Sequence, residues 1–286
     1  MNLYLKGLKE AIIPAILVVV LPTALLGFVL SQANIMLFII RALPLVILVD
    51  ISANIINNYA DWDIDIVNKK REVLHVAFRR QDLLLIYILI LLLIAGILIF
   101  SGANVYLWIA TFVFVVLGIL YSILIKLKDV AFLNYAAIAI AYAGLSTALG
   151  YFSGSSNLAG FESWGPVIIF LILVDFGYSI TKDYSDVLGD RMHNKNTLPV
   201  VLGKNNSLKV QAVIVTIAYV YLLWLIISGH LNLIYISLLV SYGFAMYIIF
   251  RVYDTAEREI HQDMHHHSQR NGLLVRLIII CILLLI

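Results

Sequence analysis

The chain has 286 residues, of which 63% are hydrophobic and 13% charged, with a formal net charge of +2 and a mean hydropathy of +1.00. A soluble domain mixes about half apolar with a quarter charged residues, so a water-soluble globule is excluded, as is a disordered chain, which lives on charge. A lone cysteine, Cys281, excludes a disulfide scaffold.

Apolar stretches of about 17 to 25 residues read as membrane helices. The sequence predicts nine, at 11–31, 35–56, 83–101, 104–125, 132–152, 165–182, 208–228, 231–252 and 271–286. The fold class is therefore an all-α integral membrane protein. We expect nine transmembrane helices in one bundle around a central cavity, forming a single membrane domain over 1–286, with two Asp-rich helical loops as a cytoplasmic cap. The ninth stretch is short for a full crossing, so it either tilts little or starts before Gly272. Ahead of the first, Lys6 and Lys9 lead into a full span containing Pro14 and Pro22 but no A-x-A-like cleavage site, so no removable signal peptide is read. Cys281, inside an apolar helix, reads as a small hydrophobe.

Charge placement orients these helices. Seventeen of the nineteen Lys and Arg residues fall in the N-terminus or in the connections 57–82, 126–130, 182–209 and 251–270. The connections between them, 102–104, 153–164 and 229–230, hold none. The positive-inside rule puts the charged face in the cytoplasm of a cell membrane, and an odd number of spans sends Ile286 to the outer side. Nothing in this pattern calls for a nucleic-acid partner, and no obligate protein partner is evident.

Two long cytoplasmic connections carry the acids. In the first, Asn57, Asp61 and Asp65 recur every four residues, so a continuing second helix puts them on one face. In the second, Asp183, Asp186 and Asp190 stand at i, i+3 and i+7 and predict another carboxylate stripe. Like charges on one face cost a few tenths of a kcal/mol per pair in water, and more near lipid; a cation removes that cost. Mg²⁺ is commonly held by one or two carboxylates plus substrate phosphates. The stripes begin 122 residues apart, after the second and sixth spans, which suggests a four-helix pseudo-repeat that brings them together over a central cavity. The chemistry that fits is departure of a diphosphate from a hydrophobic donor, the metal countering the charge that grows on the leaving group. Lys69, Lys126, Lys128, Lys182 and Arg191 lie beside the stripes as phosphate contacts.

At these residues the chain resembles the UbiA superfamily of intramembrane prenyltransferases, whose motifs are N-D-x-x-D-x-x-x-D and D-x-x-D-x-x-x-D. Here they read Asn57-Asn58-x-x-Asp61-x-x-x-Asp65 and Asp183-x-x-Asp186-x-x-x-Asp190. Tyr178-x-x-x-Lys182, Gly189-Asp190-Arg191, Thr197-Leu198-Pro199-Val200-Val201-Leu202-Gly203, and Tyr121-Ser122 with Lys126 and Asn134 extend the likeness over most of the chain. The resemblance implies Mg²⁺-dependent transfer of a prenyl group from a polyprenyl diphosphate to a lipid-soluble or interfacial acceptor, in a site open to the bilayer. It assigns Asn57, Asp61, Asp65, Asp183 and Asp190 to the metal, and Tyr178, Lys126, Lys128 and Lys182 to the diphosphate. Asp186 it leaves to act on the acceptor. Two departures stand out: Asn58 takes a position where the family often has Asp, and no proline or glycine occurs from Ala53 to Tyr87, where many members have a proline-rich stretch. The second motif is most similar to members that build archaeal ether lipids, chlorophyll or plastoquinone precursors, so the acceptor class stays open between a glycerol phosphate ether lipid and an aromatic or quinone precursor.

Three ionisable residues, Arg41, Asp50 and Asp175, fall inside predicted spans, where such groups are costly. Each reads as a partner in a buried pair, such as Arg41 with Asp50, or as a lining of the substrate chamber. Met264-His265-His266-His267 reads as part of a charged connection, since three adjacent histidines cannot share one helix face. Two other functions compete. A CDP-alcohol phosphotransferase would need a D-G-x-x-A-R start, which is missing, and an ion-coupled transporter would need its essential charges near the midplane, whereas most acids here gather at one rim.

Overall fold

Backbone polar groups in lipid must be satisfied within the segment, and a helix does this without any neighbour. The computed structural model, which describes residues 2–12, 17–67, 71–253 and 258–285, is accordingly built of helices and turns; among the described residues the exception is a parallel bridge between Val130 and Asn196. A short amphipathic helix, α1 (Leu3–Ile12), precedes α2 (Leu17–Ser31) and α3 (Ile35–Ala60). Two small helices, α4 (Trp62–Val67) and α5 (Glu72–Ala77), lead to α6 (Arg80–Phe100), α7 (Val105–Leu124), α8 (Leu133–Gly154) and α9 (Gly165–Asp183). The short α10 (Val187–Met192) and α11 (Leu198–Leu202) then connect to α12 (Lys204–Ile227), α13 (Leu233–Tyr253) and α14 (Arg258–Leu285).

Eight helices among the described residues are long and apolar enough to cross a membrane, against nine expected. The difference lies at the first. Residues 13–16 fall outside the described part, and the 15 residues of α2 reach only about 22 Å at 1.5 Å per residue, short of a hydrocarbon core of about 30 Å. At the other end, α14 starts well before Gly272, the second of the two alternatives for the short ninth stretch.

The helices close a ring. α2 packs on α3, α3 on α7, α7 on α8 and α8 on α9; α12 and α13 continue the circuit to α14, which returns to α2 and also touches α9. The outer faces carry exposed Leu, Ile, Val and Phe, suited to lipid tails. With lipid outside as apolar as the side chains, close backbone approach holds membrane helices together. Where α2 crosses α8, a Cβ on Gly150 would lie 1.8 Å from the Ala24 carbonyl oxygen, and one on Gly27 2.0 Å from that of Thr147. Gly150→Ala should therefore destabilise the protein by about 1–3 kcal/mol, seen as a lower thermal midpoint in detergent. Gly96→Ala, whose Cβ meets nothing within 4 Å, is the control that should leave the midpoint unchanged.

Two arginines serve this ring, one fully buried and one at a rim where helices end. Arg276 on α14, fully buried, donates to Asp175 Oδ2 on α9 at 2.5 Å, to the Gly272 carbonyl at 2.9 Å and to Thr23 Oγ1 on α2. Arg41 does not pair with Asp50: its guanidinium caps the Ser101, Gly102 and Ser153 carbonyls, at 2.7–3.2 Å, where α6 and α8 end. Unmet carbonyls at helix ends are natural acceptors for an arginine.

Candidate active site

The first acidic segment keeps the predicted face. Asp61 N–H donates to the Asn57 carbonyl at 2.9 Å and Asp65 N–H to that of Asp61 at 2.8 Å, so the helical register passes the break between α3 and α4. The second segment does not form the regular stripe expected. Ile180–Asp183 tightens to a 3₁₀ turn, 184–186 turn again, and only Asp190 sits on α10. All three of its carboxylates nonetheless line the same cavity.

That cavity, about 190 Å³, is walled by Asn57, Asp61 and Asp65 from one segment and by Lys182, Asp183, Asp186 and Asp190 from the other, with Arg71, Tyr121, Lys128, Lys195 and Thr197 between them. Lys128 Nζ donates to Asp61 Oδ1 at 2.7 Å and to Asn57 Oδ1 at 3.0 Å. Arg71, in a left-handed backbone turn at φ 52°, pairs with Asp65. Asp183 accepts from Tyr135 OH at 2.7 Å and from Asn134 Nδ2 at 3.0 Å, with Lys182 Nζ 3.0 Å from its other oxygen. Asp190 accepts from Thr197 Oγ1 at 3.2 Å. Lys195 joins the two motifs, its ammonium 3.8 Å from Asp61 and 3.9 Å from both Asp129 and Asp190. It is placed by the Val130–Asn196 bridge, with Asn196 N–H donating to the Asp129 carbonyl at 2.8 Å.

Five carboxylates thus face four cations, a wall with one negative charge in excess. Burial pushes the Asp61 carboxyl upward, but Lys128, Lys195 and Arg71 outweigh it and hold the group below the usual carboxylate range. Burial lowers Lys128 despite the attraction of Asp61. Asp190 is raised, by burial and by Asp183, with Lys195 opposing.

A hard divalent cation fits the oxygen donors of this wall. Among the described residues no group of three or more His, Cys, Asp or Glu side chains is arranged to enclose a metal unaided, and several of the acids are engaged with lysine or arginine instead. The donor set suits an ion that keeps part of its shell for substrate phosphate, which is how Mg²⁺ is commonly held.

Three sequence candidates stand apart from the cavity. Lys126 ends α7 in a left-handed turn at φ 54° and points to solvent; Arg191 is exposed on α10. Tyr178 faces a different neighbourhood, its hydroxyl 3.2 Å from that of Tyr219 and accepting from Asn271 Nδ2 at 2.8 Å. Lys69 lies outside the described residues. Asn58 donates to the Ala11 carbonyl at 2.8 Å, away from the cavity, so the missing carboxylate at this position takes nothing from the wall. Sequence reasoning missed Lys195 and Arg71 as site residues, and Tyr135 altogether. The lysine was visible as the basic residue two before Thr197, but nothing in the spacing of either motif pointed to it.

Asn57, Tyr121 and Lys182 also line a second cavity of about 210 Å³ that runs inward between α3, α7, α8 and α9. Its walls are Ala53, Phe114, Leu117, Gly118, Ile138 and Ala141, with Asp50, Asn54 and Tyr142 as further polar members. Wide π-type turns at Leu120–Leu124 and Ile140–Leu145 carry Tyr121 and Tyr142 into it, a distortion frequent at functional sites. A third cavity, of about 130 Å³, shares Ile138, Tyr142 and Lys182 and continues past Tyr178 to His265 on α14. A polar vestibule over an apolar chamber can hold a charged head and a greasy tail together.

Residues 20–268 match the model of the UbiA prenyltransferase family. Digeranylgeranylglyceryl phosphate synthase of Thermococcus sibiricus is 27% identical over 207 residues, covering 70% of this chain and 68% of that one. A solved structure described as giving insight into digeranylgeranylglyceryl phosphate synthase in membranes superposes with a TM-score of 0.72 at 19% identity, covering 99% of both chains. A UbiA homolog from Archaeoglobus fulgidus bound to DMAPP and Mg²⁺ gives 0.71 at 15% identity, covering 96% of this chain and 99% of that one.

Proposed function

The chain belongs to the UbiA prenyltransferase family, and from that premise we propose that it transfers a prenyl group from a polyprenyl diphosphate to a glyceryl phosphate ether lipid. The observation that carries this reading is the meeting of two acidic segments, 122 residues apart in sequence, on one polar cavity that shares Asn57, Tyr121 and Lys182 with an apolar chamber among the spans. The relatives named for synthesis of a doubly prenylated glyceryl phosphate choose the lipid acceptor over an aromatic one.

In this reading Lys128, Lys182, Lys195 and Arg71 bind the diphosphate oxygens, exchanging carboxylate partners for phosphate. Asn57, Asp61, Asp65, Asp183 and Asp190 would hold Mg²⁺, which when bound offsets the charge that develops on the leaving group. Asp186 completes the acidic wall. Tyr135 and Asn134 hold the Asp183 carboxylate in place by hydrogen bonds, so its orientation does not have to be found again in each turnover. The prenyl chain lies in the inner chamber, where Phe114, Leu117 and Ile138 exclude water from the ionising carbon.

Sidedness follows from charge. With the nine crossings that the sequence predicts, the basic connections and the acidic vestibule lie in the cytoplasm and the C-terminal end of α14 lies outside. We read the chain as one membrane domain. The test is direct: membranes holding the protein, given labelled geranylgeranyl diphosphate, Mg²⁺ and a monoprenylated glyceryl phosphate, should form a doubly prenylated lipid and free diphosphate, and EDTA should stop both. No product from any allylic diphosphate, or product indifferent to EDTA, would refute the reading.

A further inference from the structure

Two acids lie deep in the membrane part, and only one has an arginine. Asp175 is matched by Arg276. Asp50 on α3 is 1% exposed, no Lys, Arg or His among the described residues forms an ion pair with it, and its side-chain contact is a 3.4 Å hydrogen bond from Asn54 Nδ2. It lines the inner chamber together with Tyr121, Tyr142 and Lys182, which are the other titratable groups there. An ionisable group is expensive at such depth and, without a structural partner, marks a functional site.

Its position fits one task. Asp50 precedes Asn57 by seven residues, two turns of α3, which puts it on the same face and about 10 Å deeper along the axis. Asn54 sits one turn between them, and all three line the chamber. The reacting carbon of a donor whose diphosphate fills the vestibule must lie inside the chamber, below the shared rim of Asn57, Tyr121 and Lys182, in the interval of α3 between Asn57 and Asp50.

Building on the proposed function, we propose that Asp50 is the proton acceptor for the acceptor lipid's hydroxyl. The bond between the prenyl carbon and the diphosphate oxygen breaks, its electron pair leaving with the diphosphate. The acceptor's hydroxyl oxygen bonds to that carbon and passes its proton to the Asp50 carboxylate. Asn54 and Asn57 mark the polar route by which the proton leaves toward the vestibule.

The experiment compares wild type, Asp50→Asn and Asp50→Ala in membranes with labelled geranylgeranyl diphosphate and a monoprenylated glyceryl phosphate, with and without added formate, alongside calorimetric titration of a non-hydrolysable prenyl diphosphate analogue. Both variants should transfer about 10²-fold more slowly or worse, bind the analogue as wild type does, and in Asp50→Ala regain activity as formate rises. Transfer within threefold of wild type in either variant overturns the proposal. So does a loss that formate does not restore, since a packing role predicts no rescue by a small carboxylate. If the wild type itself makes no product from this pair while releasing diphosphate with a phenolic acceptor, the lipid-acceptor reading has failed, and the assignment of Asp50 falls with it.

Discussion

Asp183→Asn should lower prenyl transfer by about 10³-fold, with the protein still folded and membrane-bound. Asp183 is the hub of the second segment: one oxygen accepts from Tyr135 and Asn134, and the other faces Lys182. An amide in its place turns an NH₂ toward at least one of these donors, strips Lys182 of its counter-charge and removes one negative charge from a wall that has only one in excess. Asp61→Asn should act comparably, because it frees Lys128 and loosens Lys195, the residue that spans the two motifs. Groups that act as a unit are not additive, so the double variant should fall little below the worse single one. Lys126→Ala and Arg191→Ala, outside the cavity, should transfer at close to the wild-type rate. Single-turnover measurements with labelled donor separate these outcomes, and near-normal turnover in Asp183→Asn would remove the vestibule from the chemistry.

The largest effect on stability is expected at Arg276→Met. Its guanidinium is fully buried and tied to Asp175, Thr23 and the Gly272 carbonyl. Removing one partner of a buried pair leaves an uncompensated charge, at a cost of about 3–5 kcal/mol. Arg276→Met combined with Asp175→Leu should recover most of that loss, since replacing both members by apolar groups is often close to neutral. Unfolding in a mixed-micelle denaturant titration measures both. A single variant as stable as wild type would show that the pair contributes nothing.

Much of this was legible in the sequence because lipid makes strict demands. Long apolar runs allowed one secondary structure, and the i, i+4 spacing from Asn57 through Asp65 survived a helix break because its backbone hydrogen bonds continue across it. The second segment was right in location and wrong in form, since Asp183, Asp186 and Asp190 converge through a 3₁₀ turn and not along one helix. The cation partners were the least legible part. Lys126 and Lys128 are two residues apart, yet a left-handed turn at Lys126 sends one to solvent and the other to Asp61. No composition or periodicity reports the sign of one φ angle. Lys195 depends on a bridge between two loops distant in sequence, and Tyr178 was assigned to the vestibule by the family resemblance, while its hydroxyl belongs to the knot with Tyr219 and Asn271. Arg276 was the remaining deep cation, hidden in a run of leucine and isoleucine.

The tie among Thr23, Asp175 and Arg276 also sets a schedule for biosynthesis. The acid is translated 101 residues before its arginine, which at about 5–20 residues per second is a delay of roughly 5–20 seconds. During that interval the carboxyl is in the nascent chain without the arginine that pairs with it in the folded protein. A ribosome that stops short of codon 276 leaves that carboxyl without its arginine for good.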